Sequence, residues 1–235
     1  MSTRVEPNVK WQSPGQQPNG LQATSDGLWL IDQIDPNDIY LLSYDDGRVV
    51  RKIPTRALHS SGITVDTDGH VWVASTFTYE LICFDSETGE ELKAFPTPPY
   101  DRSGGAHGTE WRDGALWFNV PKVSTIFAMD PSNGEIRHSI PIPGDRAHGI
   151  AWDPRDGSLW CADTNRRVLY KLDPETGRVQ DAIGVSGPEP HGMTIWKNEF
   201  WLCDAESRTV WTIPLPELSA AQPAAAPLAT AAPGS

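Results

Sequence analysis

Five stretches of the chain share one order of apolar and polar positions: NGLQATSDGLWLID, SGITVDTDGHVWVAS, HGTEWRDGALWFNV, HGIAWDPRDGSLWCAD and HGMTIWKNEFWLCD. Each opens on a polar residue and a glycine, alternates through apolar positions to a polar turn, and resumes in a run centred on tryptophan. Alternation of period two, with β-branched and aromatic residues and Gly-containing turns, predicts strands rather than helices. The leading glycines, Gly20, Gly62, Gly108, Gly149 and Gly192, stand 41 to 46 residues apart. Third and fourth runs follow, as in ELICFDSETGEELKAF and VLYKLDPETGRVQDAI.

Four antiparallel strands in a unit of this length form the blade of a β-propeller. The pattern therefore predicts an all-β, single-domain propeller over residues 1–217, with five blades starting near 19, 59, 107, 148 and 191. Trp29, Trp72, Trp117, Trp160 and Trp201 recur in strand two and read as packing between blades. The fifth unit lacks a fourth strand, and the N-terminal RVEPNVKWQ is expected to supply it and close the ring. Residues 218–235, rich in Ala and Pro, read as a disordered tail.

Composition adds limits. With 38% apolar residues and ten tryptophans, the chain can build a packed core. Acidic residues outnumber basic ones 31 to 19, for a net charge of −12, which argues against nucleic acid or an anionic membrane as partner. No apolar run has membrane-spanning length, and the N-terminus has no signal-like apolar segment. Cys83, Cys161 and Cys203 sit in strand-like runs and read as buried free thiols. A cytoplasmic monomer acting on a small molecule is the expectation.

In a propeller the loops into strand one and out of strand two share one face. The residues before the leading glycines, Asn19, Ser61, His107, His148 and His191, then form a ring at the channel mouth, with His59 nearby. The residues closing strand two include Asp32, Asp163 and Asp204, and they fall on the same face. Three neutral imidazoles from neighbouring blades suit a divalent ion such as Zn, Mn or Fe, so His107, His148 and His191 are the candidate metal ligands. Nearby carboxylates can ligate the ion or orient the imidazoles. Glu110, where other blades carry Gln22, Thr64, Ala151 and Thr194, can face this ring or contact solvent. The opposite face reads as structural turns only. His70 and His138 lie off the ring.

The repeats, and above all EPHGMTIWKNEFWLCD, resemble virginiamycin B lyase and its streptogramin-lyase relatives. That resemblance implies a Mg²⁺-dependent propeller that opens a cyclic depsipeptide by elimination at an ester. Carried over by position, the family's Glu-x-His falls on Glu189 and His191, its strand-ending acid on Asp204, and its histidine from the preceding blade on His148. The chain departs from the family in having five blades rather than seven, an Asp where the family has Glu, and an additional imidazole at His107. Antibiotic resistance therefore does not transfer. Glutamine cyclotransferases are also similar as five-bladed propellers with a metal-associated site, although their N-terminal motif is absent.

Together these readings favour a metal-dependent lyase acting on a small ester, lactone or carbonyl compound. His191, Glu189 and Asp204 are the catalytic candidates. Asn19, His59, Asp32, Glu110 and Asp163 are held as substrate contacts or supports. Two alternatives stay open: a metal-dependent hydrolase or cyclotransferase-like enzyme, and a non-catalytic propeller presenting Phe77, Tyr79, Tyr100 and Arg102 to a partner.

Overall fold

The computed structural model describes residues 4–218 and is a five-bladed β-propeller. The chain enters through β1 (Asn8–Gln12) and then builds the blades in order. Blade one is β2 (Pro18–Thr24), β3 (Gly27–Asp32), β4 (Ile39–Leu42) and β5 (Val49–Ile53). Blade two is β6 (Ser60–Val65), β7 (Val71–Ser75), β8 (Glu80–Phe84) and β9 (Glu91–Pro96). Blade three is β10 (Thr109–Arg112), β11 (Ala115–Val120), β12 (Thr125–Met129) and β13 (Ile136–Pro141). Blade four is β14 (Ala147–Trp152), β15 (Leu159–Asp163), β16 (Val168–Leu172) and β17 (Val179–Gly184). Blade five is β18 (Pro190–Trp196), β19 (Glu199–Asp204) and β20 (Thr209–Pro214), completed by β1.

All pairings within the blades are antiparallel, and β1 adds to β20 with Val9 opposite Trp211. Ring closure is reinforced by Arg4, whose guanidinium donates to the Val185 carbonyl at 2.7 Å. The tail read from 218 onward lies, past Leu218, outside the described residues. Among the described residues no helix is long and apolar enough to cross a membrane. Cys83, Cys161 and Cys203 are all free and buried.

The core is five apolar clusters, one between each pair of neighbouring blades, and each contains one of the recurring tryptophans. Trp29 packs on Ile63 and Val73, Trp72 on Leu116 and Phe118, and Trp160 on Phe200 and Leu202. Trp201 packs on Leu21 and Leu30. Trp117 is the exception in depth. It is half-buried, standing edge-on to Trp152 with ring centroids 5.0 Å apart.

Hairpin turns follow the local sequence. Asp113–Gly114 and Lys197–Asn198 are two-residue loops with positive φ at both positions, the geometry whose twist matches paired strands.

The channel is closed at the level of the leading glycines. A Cβ on Gly192 would stand 2.7 Å from Gly20 Cα, and one on Gly62 or Gly108 would strike the carbonyl oxygen of His107 or His148. That backbone-on-backbone approach requires glycine. No water-sized space exists there, so the propeller has two separate mouths instead of one pore.

Candidate active site at the histidine mouth

The inner strands of blades one, two, four and five each carry a register shift where the polar residue precedes the glycine. Pro18 pairs Asp32 and Gly20 pairs Ile31, with Asn19 extra; the same break surrounds Ser61, His148 and His191. A β-bulge re-aims the side chain it inserts. These bulges turn Asn19, Ser61, His148 and His191 out of the ladder and toward the mouth. In blade three, His107 N–H donates to Asn119 O and Asn119 N–H to Gly108 O, which holds His107 at the same height.

The three imidazoles come together. His107 and His148 have ring centroids 4.8 Å apart, and His148 and His191 stand at 4.1 Å. His59, in a left-handed backbone conformation, stacks on Phe77 at 4.1 Å near this cluster.

Hydrogen bonds fix the tautomers of two rings. Thr164 Oγ1 donates to the Pro190 carbonyl at 2.6 Å, so its contact with His148 Nδ1 at 2.7 Å must receive a proton from the ring. His191 Nδ1 donates to the Glu189 carbonyl at 2.9 Å. In both residues Nε2 is therefore the lone-pair nitrogen of a neutral ring.

The surroundings keep these rings neutral. Burial holds His107 down at about 3, with the nearby His191, His59 and Arg146 opposing protonation further. Burial, then His191 and His107, holds His148 well below the ordinary imidazole range. Burial also lowers His191, but the Glu189 carbonyl and the Glu189 and Asp204 carboxylates pull it back up. Of the three, His191 alone has carboxylates opposing the drop, against burial and the Arg146 charge that keep it below the ordinary imidazole value.

The carboxylates divide by role. Asp204 is fully buried; it accepts from Glu189 N–H at 2.7 Å and from Ser207 N–H and Oγ–H at 2.8 and 2.9 Å. Asp32 holds Gln16 and Gln17 N–H, and Asp163 holds Asp145 and Arg166 N–H, in the equivalent loops. These three acids pin the segments that enter strand one. Asp204 thus acts on His191 by fixing the Glu189–His191 segment. Glu189 points its carboxylate at Arg146, 3.0 Å away.

Two contributors were not singled out from sequence. Arg146 brings positive charge beside Glu189, and Thr164 fixes His148. Thr76 is the counterpart of Thr164, donating to Ala106 O at 2.8 Å, just before His107. Aligning the residue after strand two across blades, Gln33, Thr76 and Thr164, is the signal that would have exposed this inter-blade link.

Thr164→Val removes the acceptor for His148 Nδ1–H. We expect a stability loss of about 1–3 kcal/mol and a mixture of His148 tautomers, read from long-range ¹⁵N correlations of the ring.

The mouth also presents unpaired polar groups. Asn19 is fully buried with neither amide atom bonded to protein, and His107 Nδ1 is likewise without a partner. Among the described residues the three imidazoles do not bring a ligand atom each within 4.8 Å of one another. The only group that does so is Asp66, His70 and Cys83. There Asp66 accepts from His70 N–H at 2.9 Å and Trp72 Nε1–H at 3.0 Å, and burial pushes the Cys83 thiol up to about 12. Asp153 takes the same place before Trp160 in blade four, so the arrangement serves the hairpin.

Glu110 does not face the histidines. It lies on the far side of the glycine constriction, 6% exposed, at the other mouth beside Gln22, Thr64 and Thr194. Burial raises its carboxyl to about 8. The opposite face therefore contains more than turns.

These groups set opposed pH effects. The unfolded chain protonates histidine at its ordinary value of 6.5 while the folded ring resists, so the neutral imidazoles' stability contribution is complete above 6.5 and is lost as pH falls toward 3. Glu110 works in reverse: its contribution is complete below 4.5 and is lost as pH rises to about 8. Glu110→Gln should accordingly stabilise the protein progressively above pH 4.5, by at most ~3 kcal/mol at pH 7, measured as the urea midpoint across pH.

No protein-family description and no curated protein matches the chain in sequence. Solved structures do match. The glutaminyl cyclase of Myxococcus xanthus superposes with a TM-score of 0.71 at 10% identity, over 89% of this chain and 97% of that one. A catalytically inactive virginiamycin B lyase from Staphylococcus aureus, with quinupristin, matches at 21% identity and a TM-score of 0.56, over 85% of this chain and 66% of that one. A streptogramin B lyase structure matches at 18% identity and 0.54, over 88% and 86%. At these identities the likeness shows the fold.

Proposed function

We propose that this propeller is a lyase that acts at the histidine mouth on a small ester, lactone or carbonyl compound. The observation that carries the reading is the trio of adjoining neutral imidazoles, two of them with Nδ1–H tied and Nε2 left as a fixed lone pair. The lyase class is favoured because the Glu-x-His segment and the preceding blade's histidine fall at this one mouth, and because solved lyases share the fold.

His191 is the general base of the proposal. Its Nε2 takes the proton from the carbon next to the substrate carbonyl. The C–H electron pair becomes the new C=C bond, and the C–O bond at the β-carbon breaks with the carboxylate leaving. Asp204 and Glu189 raise the ring's basicity, which a base working near neutral pH needs. Arg146, paired with Glu189 at 3.0 Å, is a cation at this mouth that would meet a carboxylate leaving group.

A divalent ion is part of the proposal, and the unpartnered Asn19 amide and His107 Nδ1 suit one. His107, His148 and Asn19 would hold it, leaving His191 free as base. Two imidazoles suit Zn²⁺, Fe²⁺ or Mn²⁺, whereas Mg²⁺ would rest on the Asn19 amide oxygen and water. Such an ion supplies polarisation of the substrate carbonyl.

The test is to incubate the protein with cyclic depsipeptides and simple β-acyloxy esters, with and without Mg²⁺, and to read product mass and the absorbance of a new C=C bond. A cyclic depsipeptide should open with unchanged mass, and a β-acyloxy ester should split into an α,β-unsaturated ester and the free carboxylic acid. A ring-opened product heavier by one water, or a β-hydroxy ester in place of the unsaturated one, would move the assignment to a hydrolase. No turnover and no bound metal would leave a binding propeller.

A further inference from the structure

The mouth opposite the histidines holds a cavity of about 470 Å³ with Glu110, Gln22 and Thr194 at its inner end and Trp152, Ile195 and Trp196 on its walls. We propose that this cavity binds a small organic ammonium ion, its charged head on Glu110 and its apolar part against Trp152 and Trp196. It is a site distinct from the proposed lyase centre, because the glycine constriction leaves no passage between the two.

The first support is the carboxyl itself. Four blades place Gln22, Thr64, Ala151 or Thr194 at this inner-strand position, so the fold accepts a neutral side chain there. Blade three alone carries an acid, and it is buried. Acids are rarely buried without a cationic partner, yet no ion pair to Glu110 forms among the described residues. Its Oε1 instead accepts from Trp111 N–H at 3.1 Å and has the Thr64 hydroxyl oxygen 3.5 Å away. These neutral contacts leave its charge uncompensated, which is why burial dominates its protonation.

The neighbouring side chains are already committed. Thr64 Oγ1 donates to Gln22 Oε1 at 2.8 Å, and Gln22 Nε2 donates to Ala23 O at 3.2 Å. Thr194 Oγ1 accepts from Ala23 N–H at 3.2 Å. The polar end is thus held in one arrangement around Glu110.

The walls suit a cation. Trp and ammonium attract through the ring's negative face. The protein uses that attraction at this rim: Lys197 Nζ lies 5.9 Å from the Trp196 ring centre, and the Arg112 guanidinium lies 4.5 Å from that of Trp152. Lys197, on the β18–β19 turn, and Arg112, on the strand of Glu110, are the charged groups near the carboxyl. Gln22, Thr64, Trp152 and Thr194 come from the other strands packed about it. Neither cation bonds Glu110, so the innermost position is left to a ligand.

Benzylamine and the neutral benzyl alcohol, of the same shape, are the probes, titrated calorimetrically into the full-length protein near pH 7. Benzylamine should saturate and bind at least tenfold more tightly than the alcohol. A proton should be released as Glu110 ionises, seen as a binding enthalpy that varies with the buffer's heat of ionisation. Glu110→Gln should lose the tenfold preference, whereas His191→Ala should keep it. The proposal is overturned if benzylamine does not saturate, if the alcohol binds as tightly, if Glu110→Gln leaves affinity unchanged, or if His191→Ala removes it. Proton release is read on the wild-type chain and needs no variant to fold.

Discussion

His191→Ala should lower turnover of an eliminated ester by about 10²- to 10⁴-fold, the usual contribution of a positioned general base. The effect should fall on kcat more than on KM, because the ring acts on the proton in flight. His191 is buried, so the truncation also leaves a void beside His148, 4.1 Å from its ring centre. His191→Gln keeps much of the volume and a hydrogen-bonding end but no base. Equal loss in both variants, with both folded by circular dichroism, identifies lost proton transfer. Full activity in either variant would remove His191 from the chemistry.

Gly108→Ala should be among the most damaging small substitutions at the described glycines, costing about 3 kcal/mol or more. The added methyl would meet the His148 carbonyl oxygen, a backbone atom held in the next blade, and the Asn119 amide nitrogen at 3.0 Å. A flexible side chain would yield; an inner strand packed between two others does not. Gly69→Ala is the control, since a Cβ there meets nothing within 4 Å and its only penalty is a left-handed φ of +86°. Chemical denaturation of the two variants should separate them by well over 1 kcal/mol.

The blade count was legible because each unit repeats both a leading glycine and a strand-two tryptophan. Those residues answer to one constraint per blade: backbone contact at the axis and a large ring between sheets. The histidine mouth was legible for the same reason, since equivalent positions in equivalent blades stand at equal height. Glu110 was harder. It lies three residues beyond His107, about 10 Å along an extended strand, which carries it past the constriction to the other end. Periodicity alone left its direction open. That the glycines seal the axis follows only from distances between strands of different blades. The roles of Asp204 and Asp163 as loop anchors also depended on seeing which N–H groups come within reach. Thr164 and Arg146 act across a blade boundary; the link through Thr164 shows only when the residues after strand two are aligned between blades, and the Arg146–Glu189 pair follows no such repeat.

The N-terminal strand, β1, pairs with β20, almost 200 residues later in the chain. During synthesis β1 must therefore wait, unpaired, until the four intervening blades and β20 have been made, and the sheet it completes forms last of the five. Until then β1 is an unpaired strand able to add to the wrong edge, including one from another nascent molecule. A variant permuted to begin at Pro18, with β1 moved to follow β20 so that a short linker joins Pro214 to Asn8, would make that sheet local and should refold faster with less aggregation.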